Sequence, residues 1–414
     1  MTRSPEVGDR ISVKYHDGEI QGIFLTEDQD FLFLKLDSGY NTGISKKRIE
    51  ATKVLQGKKE EIENNEKVVV DRGKGISVLS TGGTISSRVD YATGGVKPSR
   101  KMDSLYSEEM SKVHDISVHF KVVSSILSEN MSPDMWVSVA GEVRNALDRD
   151  KGVVVFHGTD TMSYTASAIA FMLEEQTGTV VFTGAQRSPD RPSSDSYVNI
   201  EGSIKFASIQ SGEVGICMHS GLSDDSVNLL RAVRSRKMHS SRRDAFKSME
   251  YPEIGLISSG KQVYFRQERK ASERNVVRNR LEPAVGLIFF NPTLSPEDVD
   301  QFAENRKCIV IMGTGLGHVA QRLIPTLREI IRGGTRVVMS TQCISGIVDM
   351  NVYSTGRDLL DAGVLHFGNI LPEVAYVKAM YVLANYPDDE FEIRMAENMR
   401  GEILGRNHEV GNLE

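Results

Sequence analysis

The sequence predicts an α/β protein in which two α/β units follow a small antiparallel β-barrel. Three observations favour this fold class. Short runs of β-branched and aromatic residues, such as VVVF at 153–156, are typical of buried parallel strands. Such runs alternate with stretches of helical spacing in two long segments, 72–265 and 283–414. Before residue 56, by contrast, short alternating strands follow one another around tight turns, which is typical of a barrel.

Residues 1–55 are predicted to form an SH3- or Sm-like barrel. Residues 10–15 and 19–25 alternate polar and apolar side chains on either side of His16-Asp17-Gly18, which is a hairpin signal. A third strand is expected at 31–36. Barrels of this kind bind peptides or RNA, or only pack against a neighbour, so we expect a docking or packing role. Residues 56–71 include the charge-dense KKEEIENNEK and are predicted to be a linker.

The segment VVVFHGTDTM at 153–162 combines a buried strand with a polar turn. Thr159 and Asp160 come at the carboxyl end of that strand, where open α/β sheets bind their ligands. A threonine hydroxyl beside a carboxylate can position and deprotonate a water or a second hydroxyl. The alternative is that the two residues only cap the helix expected at 161–173, because Thr and Asp are favoured N-caps.

A second polar turn follows the buried strand that is expected at 76–80. The motif TGGTI forms this turn and places Thr84 after paired glycines. Two strand ends that each offer a threonine suit a nucleophile and its activating group. TGGTI and HGTDTM are together the two signatures of the L-asparaginase/glutaminase family, which this sequence resembles from about residue 72 to residue 414. The resemblance implies a two-domain α/β sandwich that hydrolyses side-chain amides. It also implies catalytic roles for Thr84, Thr159 and Asp160, but the sequence leaves open which threonine attacks.

The resemblance assigns four further residues to the site. Tyr91 lies in a Ser- and Gly-rich loop at 86–100 and would close over the substrate, although it could also be a surface tyrosine that anchors the loop. Ser128 and Glu129 would bind the α-carboxylate and the α-amine of the substrate. Lys237 would lie buried beside Asp160 and complete a Thr-Asp-Lys relay.

Lys237 belongs to an unusually basic stretch at 231–246, whose other arginines we expect to form a solvated basic face. For contact with RNA these arginines are no more than candidates. Helices are also predicted at 199–210, 296–305 and 319–332. The remaining strands are predicted at 122–126, 180–185, 285–290, 308–312 and 336–340.

Composition limits the partners of the chain. A formal charge of −6 over 414 residues argues against strong binding of nucleic acid or anionic membrane by this chain alone. Three scattered cysteines suit a reducing cytosol, and the first residues contain no apolar core of a signal peptide, so we expect a cytoplasmic protein. His and Cys have no metal-ligand spacing, so no metal or other cofactor is expected in this chain. GTGLG at 313–317 matches a dinucleotide loop only weakly and is predicted to be a tight turn.

A narrower resemblance is to the GatD family, the glutaminase subunits of archaeal glutamyl-tRNA(Gln) amidotransferases. It is carried by the N-terminal barrel, by GAQRSPDRPSSD and by RKMHSSRRDAF. It implies that glutamine is hydrolysed and that ammonia passes to a GatE-like partner, which uses ATP and Mg²⁺ and makes most of the contacts with tRNA(Gln). It also implies a heterotetramer of two GatD-like and two GatE-like chains around a homodimer core.

Two other functions are left open by the sequence. The first is a stand-alone cytoplasmic L-asparaginase or glutaminase, and the second is a non-catalytic scaffold. A preference for Gln or Asn is not predicted, because one methylene of substrate length is worth only ~1–3 kcal/mol of pocket fit.

Overall fold

The fold is seen in a computed structural model that describes residues 5–6, 8–15, 18–36, 41–56, 74–89, 96–98, 116–189, 193–266 and 268–404. Within these ranges the strands are β1 (Arg10–Tyr15), β2 (Gly18–Glu27), β3 (Phe31–Lys35), β4 (Asn41–Ser45), β5 (Ile49–Gln56), β6 (Ile76–Gly82), β7 (Ser87–Val89), β8 (Val96–Pro98), β9 (Val118–Ile126), β10 (Gly152–Phe156), β11 (Leu173–Glu175), β12 (Val180–Thr183), β13 (Val214–His219), β14 (Ser226–Arg231), β15 (Ser235–Lys237), β16 (Phe246–Ser248), β17 (Gly255–Ser258), β18 (Lys261–Phe265), β19 (Val276–Val277), β20 (Val285–Phe289), β21 (Cys308–Gly313), β22 (Arg336–Thr341) and β23 (Leu365–His366). The α-helices are α1 (Pro133–Arg149), α2 (Met162–Met172), α3 (Ser196–Ala207), α4 (Pro296–Ala303), α5 (Ile324–Arg332), α6 (Ser354–Asp361), α7 (Pro372–Asn385) and α8 (Phe391–Ala396).

The N-terminal unit is a five-stranded antiparallel sheet in the order β4-β3-β2-β1-β5. The inward side chains of Ile11, Val13, Phe24 and Leu34 form a small core of their own. The predicted antiparallel unit is therefore present. The turn residues 16–17 and 37–40, and the predicted linker from 57 onward, lie outside the described residues.

The central unit is an eight-stranded sheet in the order β18-β17-β14-β13-β12-β10-β6-β9. Strands β9, β6, β10, β12 and β13 are parallel, so the turns that follow β6 and β10 emerge side by side. The core lies on both faces of this sheet. Val153 and Val155 pack on the α1 and α2 side, while Val154 and Phe156 pack on the α3 side, as the two-residue period of a strand requires.

The C-terminal unit is a four-stranded parallel sheet, β20-β21-β22-β23. Helix α7 joins it to the central unit, because Val374, Ala375 and Val377 belong to the same buried cluster as α2. The predicted α/β pair of units behind an antiparallel sheet is thus confirmed. GTGLG is a tight turn, closed by hydrogen bonds between Thr314 and His318.

Three element predictions need correction. The helix predicted from residue 319 begins at Ile324, after a 3₁₀ turn at Gln321–Leu323, because Pro325 is favoured in the first helical turn. The helix predicted at 199–210 begins three residues earlier, at Ser196. The segment predicted as a loop at 86–100 contains a short hairpin of β7 and β8.

The segment 397–404 lies between the central and C-terminal units. Arg269 of the central unit donates a hydrogen bond to the carbonyl of Met399 (2.7 Å), and Arg234 donates to the carbonyl of Glu402 (3.2 Å). The fully buried Lys378 of α7 forms an ion pair with the equally buried Glu402 carboxylate at 2.6 Å. This segment therefore ties the two units together. Among the described helices none is both long and apolar enough to span a bilayer.

Candidate active site

The TGGT turn after β6 is shaped by its two glycines. Gly82 and Gly83 have φ values of +105° and +83°, which side-chain-bearing residues rarely adopt. A Cβ atom added to Gly83 would lie 2.4 Å from the amide nitrogen of Gly158, so only glycine permits this approach. Thr84 follows directly and begins a 3₁₀ turn, partly exposed. The glycine contact thus brings the TGGT turn against the HGTD turn.

The HGTD turn after β10 does not cap the following helix. Helix α2 begins at Met162 with Thr161 as its N-cap residue, and no side chain caps it. The interpretation of Thr159 and Asp160 as helix caps is therefore wrong. Thr159 is almost fully buried, whereas the Asp160 side chain is 69% exposed.

Lys237 reaches this turn from the β15–β16 hairpin. In the hairpin register Lys237 is paired with Phe246. Its Nζ donates hydrogen bonds to Thr159 Oγ1 at 2.8 Å and to Asp160 Oδ1 at 2.7 Å, and only 12% of its side chain is exposed. No described residue accepts the Thr159 hydroxyl hydrogen. The ammonium group therefore orients Thr159 and leaves its O–H available to a reacting group.

Ser128 and Glu129 lie on a third turn, after β9. Ser128 is buried, and a Cβ atom added to Gly158 would lie 2.7 Å from the Ser128 Cβ. The hydroxyl of Thr161 donates to the Ser128 carbonyl at 2.7 Å. Glu129 is exposed. The structure thus brings the turns that carry Thr84, Thr159 and Ser128 together, while Tyr91 lies outside the described residues.

His157 is a site residue that the sequence did not single out, although it lies inside the HGTDTM motif. It is fully buried, and burial lowers its pKa to about 4, so the imidazole is neutral near pH 7. Its Nδ1 donates to the Gly158 carbonyl at 2.7 Å, because a carbonyl can only accept. His157 therefore fixes the backbone of the turn beneath Thr159.

The prediction of a solvated basic face is wrong for the first three arginines of the stretch 231–246. Arg231, Arg234 and Arg236 are largely buried. Each is paired with a carboxylate that is distant in sequence or on another element, which local sequence could not show. Ion pairs join Arg231 to Glu213 and Glu268, Arg234 to Glu250, Arg236 to Glu373, Arg242 to Asp244, and Arg243 to Asp224.

The loop after β12 also borders the site. A Cβ atom added to Gly184 would lie 2.9 Å from the Thr159 methyl group. The loop is held by Asp195, which accepts hydrogen bonds from the backbone N–H groups of Gln186 and Arg187. Arg243, from the segment that carries Lys237, donates to the carbonyl of Ser193 at 2.7 Å. The segments GAQRSPDRPSSD and RKMHSSRRDAF are therefore in contact. Within the described ranges no three His, Cys, Asp or Glu side chains cluster as metal ligands would.

Comparisons with family models divide the chain into three matched parts. The model "Asparaginase, N-terminal" matches residues 75–271, and "Glutaminase/Asparaginase C-terminal domain" matches residues 284–395. The model "GatD N-terminal domain" matches residues 5–55. These ranges coincide with the central, C-terminal and N-terminal sheets.

Curated relatives match along nearly the whole chain. The D subunit of glutamyl-tRNA(Gln) amidotransferase from Thermoplasma volcanium is 45% identical, over 96% of this chain and 97% of the relative. Its counterpart from Thermoplasma acidophilum is 44% identical with the same coverage. Among solved structures, the thermostable L-asparaginase from Thermococcus kodakarensis is similar with a TM-score of 0.71 and 29% identity. It covers 80% of this chain and 99% of its own, so this chain has residues beyond the asparaginase fold.

Proposed function

The chain belongs to the GatD family, the D subunits of glutamyl-tRNA(Gln) amidotransferase, and from this premise we propose that it hydrolyses glutamine to glutamate and ammonia as the glutaminase subunit of such an enzyme. The observation that carries the proposal is the similarity along 96% of the chain, which includes the N-terminal domain. The site supplies the chemistry of an amidohydrolase, since two threonine-bearing turns meet beside a lysine that is hydrogen-bonded to one of them.

Thr84 is proposed as the nucleophile. Its Oγ would attack the side-chain amide carbon of glutamine while its proton is taken up by the Thr159, Asp160 and Lys237 group. The C–N bond then breaks, ammonia leaves with a proton from the same group, and an acyl ester remains on Thr84. Water attacks this ester next, which releases glutamate and restores the Thr84 hydroxyl.

The remaining predicted residues have binding roles in this proposal. Ser128 and Glu129 would hold the α-carboxylate and the α-ammonium of glutamine, because a hydroxyl donates to a carboxylate and a carboxylate pairs with an ammonium. Tyr91 would close over the bound substrate. The exposed Glu129 and the buried Ser128 lie on the same turn, which supports a shared substrate contact.

The partner is proposed to be a GatE-like subunit that binds tRNA(Gln) and uses ATP and Mg²⁺, in a heterotetramer built around a homodimer of this chain. Two observations support this division of labour: the net charge of −6, and the pairing of the basic stretch with carboxylates of the same chain. A reducing cytoplasmic setting is part of the proposal, supported by three unpaired cysteines, Cys217, Cys308 and Cys343.

The proposal is tested by the rate of glutamine hydrolysis for the chain alone, with the partner, and with partner plus Glu-tRNA(Gln). We expect the rate to rise at least tenfold with the complete set, which requires only ~1.4 kcal/mol of differential contact. Equal rates in all three mixtures, or preferential hydrolysis of free asparagine, would instead favour a stand-alone asparaginase.

A further inference from the structure

We propose that Arg236 and Glu373 are a positioning pair, which holds the hairpin of Lys237 so that its ammonium group stays on Thr159. The proposal rests on the proposed amide hydrolysis for the reaction it affects. Arg236 donates from Nε to Glu373 Oε1 at 2.8 Å and from Nη2 to Oε2 at 2.6 Å. Such a bidentate pair fixes both the distance and the orientation of the guanidinium plane.

The position of Arg236 in the hairpin makes this pair relevant to Lys237. Adjacent side chains on a strand point to opposite faces. Lys237 points from β15 to the Thr159 turn of the central unit, and Arg236 points to α7 of the C-terminal unit. The two residues are neighbours in the chain, so any displacement of Arg236 is passed to Lys237 through one peptide unit.

The base of the hairpin is held by the C-terminal unit as well. Arg234 is fully buried and donates to the carbonyl of Asn369 at 2.8 Å and to the Glu250 carboxylate at 3.2 Å. Glu250 has a φ of +54° and accepts hydrogen bonds from the backbone of Gly346 and from the side chain of Asn369. A strained residue is kept only where its surroundings fix it. The hairpin is thus anchored at its base and at Arg236.

Helix α7 also contacts the other half of the site. Tyr164 of α2, five residues after Thr159, packs edge-on against Tyr376 of α7, with ring centroids 6.3 Å apart. Burial and the nearby Glu373 carboxylate raise the pKa of Tyr164 to about 12, so its hydroxyl stays protonated. One helix therefore sets the positions of both the Thr159 turn and the Lys237 hairpin.

The test compares Arg236→Met, Glu373→Gln and the double variant Arg236→Met/Glu373→Leu in the full-length chain. We expect each to lower kcat for amide hydrolysis at least tenfold while KM changes little. The double variant leaves no unpaired buried charge, so its melting temperature should recover toward that of the wild type. A low kcat at a recovered melting temperature separates positioning from stability, whereas a wild-type kcat in the double variant overturns the proposal.

Matched controls are available in two other bidentate pairs. Arg274→Met removes the pair with Glu175, and Arg242→Met removes the pair with Asp244 near the tip of the same hairpin. Both should leave kcat unchanged. A kcat loss of equal size in Arg274→Met would show that the effect is not specific to the hairpin.

A second measurement does not depend on activity. Reductive methylation followed by peptide mass spectrometry reports how freely Lys237 Nζ reacts, with Lys205 as the internal reference. Arg236→Met should increase labelling of Lys237 several-fold relative to Lys205, and unchanged labelling overturns the inference. If the wild-type chain hydrolyses neither glutamine nor asparagine, the proposed function fails while this measurement still decides the positioning role.

Discussion

The two ends of the central sheet carry clusters of similar composition that are built for opposite purposes. At the amino end, Asp150 accepts hydrogen bonds from the Ser77 hydroxyl (2.5 Å), His119 (2.9 Å) and Arg149 (3.0 Å). At the carboxyl end, the Lys237 ammonium group joins the Thr159 hydroxyl to the Asp160 carboxylate. Each end thus combines a carboxylate, a hydroxyl and a nitrogen base or cation.

The two clusters differ in how many of their hydrogen-bonding groups are satisfied within the protein. The Asp150 carboxylate is fully buried and also accepts from the backbone N–H of Gly75. Although burial alone would raise the pKa of Asp150, the hydrogen bonds from Ser77, His119 and Arg149 lower it below its usual value. Asp160 is mostly exposed, and the Thr159 hydroxyl accepts from Lys237 but donates to none of the residues that the structure describes. A saturated cluster stabilises a fold, whereas a cluster with unused hydrogen-bonding capacity can act on a substrate.

The largest effect is expected at the carboxyl end. Lys237→Met and Thr159→Ala should each lower kcat for amide hydrolysis by roughly 10²–10⁴, because proton transfer to and from the nucleophile loses its positioned groups. The melting temperature should change little. Steady-state kinetics of the purified variants measure this, and Lys205→Met, at a lysine paired with Glu201, is the matched control. Near-wild-type hydrolysis by either site variant would contradict the assignment, as would an acyl-enzyme on a residue other than Thr84.

The opposite result is expected at the amino end. Asp150→Asn should lower the free energy of unfolding by about 1.5–3 kcal/mol, because the hydrogen bonds from His119 and Arg149 to a buried carboxylate are weakened or lost. It should leave kcat unchanged. Denaturant unfolding checks the first claim and kinetics the second, with Asp148→Asn, at an exposed neighbour, as the control. If Asp150→Asn lowered kcat without lowering the free energy of unfolding, the Asp150 cluster would not have a purely stabilising role.

The two ends should also lose stability in different pH ranges. The folded-state pKa of His157 is about 4, below its unfolded value of 6.5, so the unfolded chain binds a proton first as the pH falls. Stability should therefore decrease by roughly 3 kcal/mol between pH 6.5 and pH 4. His157→Gln should remove this slope. The lowered pKa of Asp150 contributes stability that is present above its unfolded pKa of 3.8 and is lost only at lower pH. If stability still falls to the same extent between pH 6.5 and pH 4 in His157→Gln, His157 is not the group responsible for this pH dependence.

The smallest effect is expected from removal of the N-terminal sheet. A chain that begins near residue 72 should stay folded and hydrolyse glutamine at the rate of the intact chain without partner. The sheet has its own core, and the solved L-asparaginase aligns over 99% of its length with only 80% of this chain. Size-exclusion chromatography and the glutaminase assay measure this. Aggregation or loss of hydrolysis would place the sheet in the catalytic unit.

The sequence predicts those parts of the molecule that local chemistry determines. Buried strands such as β10 and the tight turn at 313–317 follow from short apolar runs and from glycine. The roles of Thr84, Thr159, Asp160 and Lys237 come from a family resemblance and stay predictions until they are measured. The partner of Arg236 could not be predicted, because 137 residues separate it from Glu373 and only the fold brings them together. The structural role of His157 depends on burial, which a single motif does not report.

The segment 397–404 also affects how the chain folds during its synthesis on the ribosome. It is translated after Arg234, Arg269 and Lys378, which all contact it. Units of a long chain fold in order as they emerge, so the central sheet can form while this segment is still being synthesised. The hairpin of Lys237 then lacks one of the hydrogen-bond acceptors of Arg234. The Lys237 hairpin therefore gains the Glu402 carbonyl as an acceptor for Arg234 only after residues 397–404 have left the ribosome.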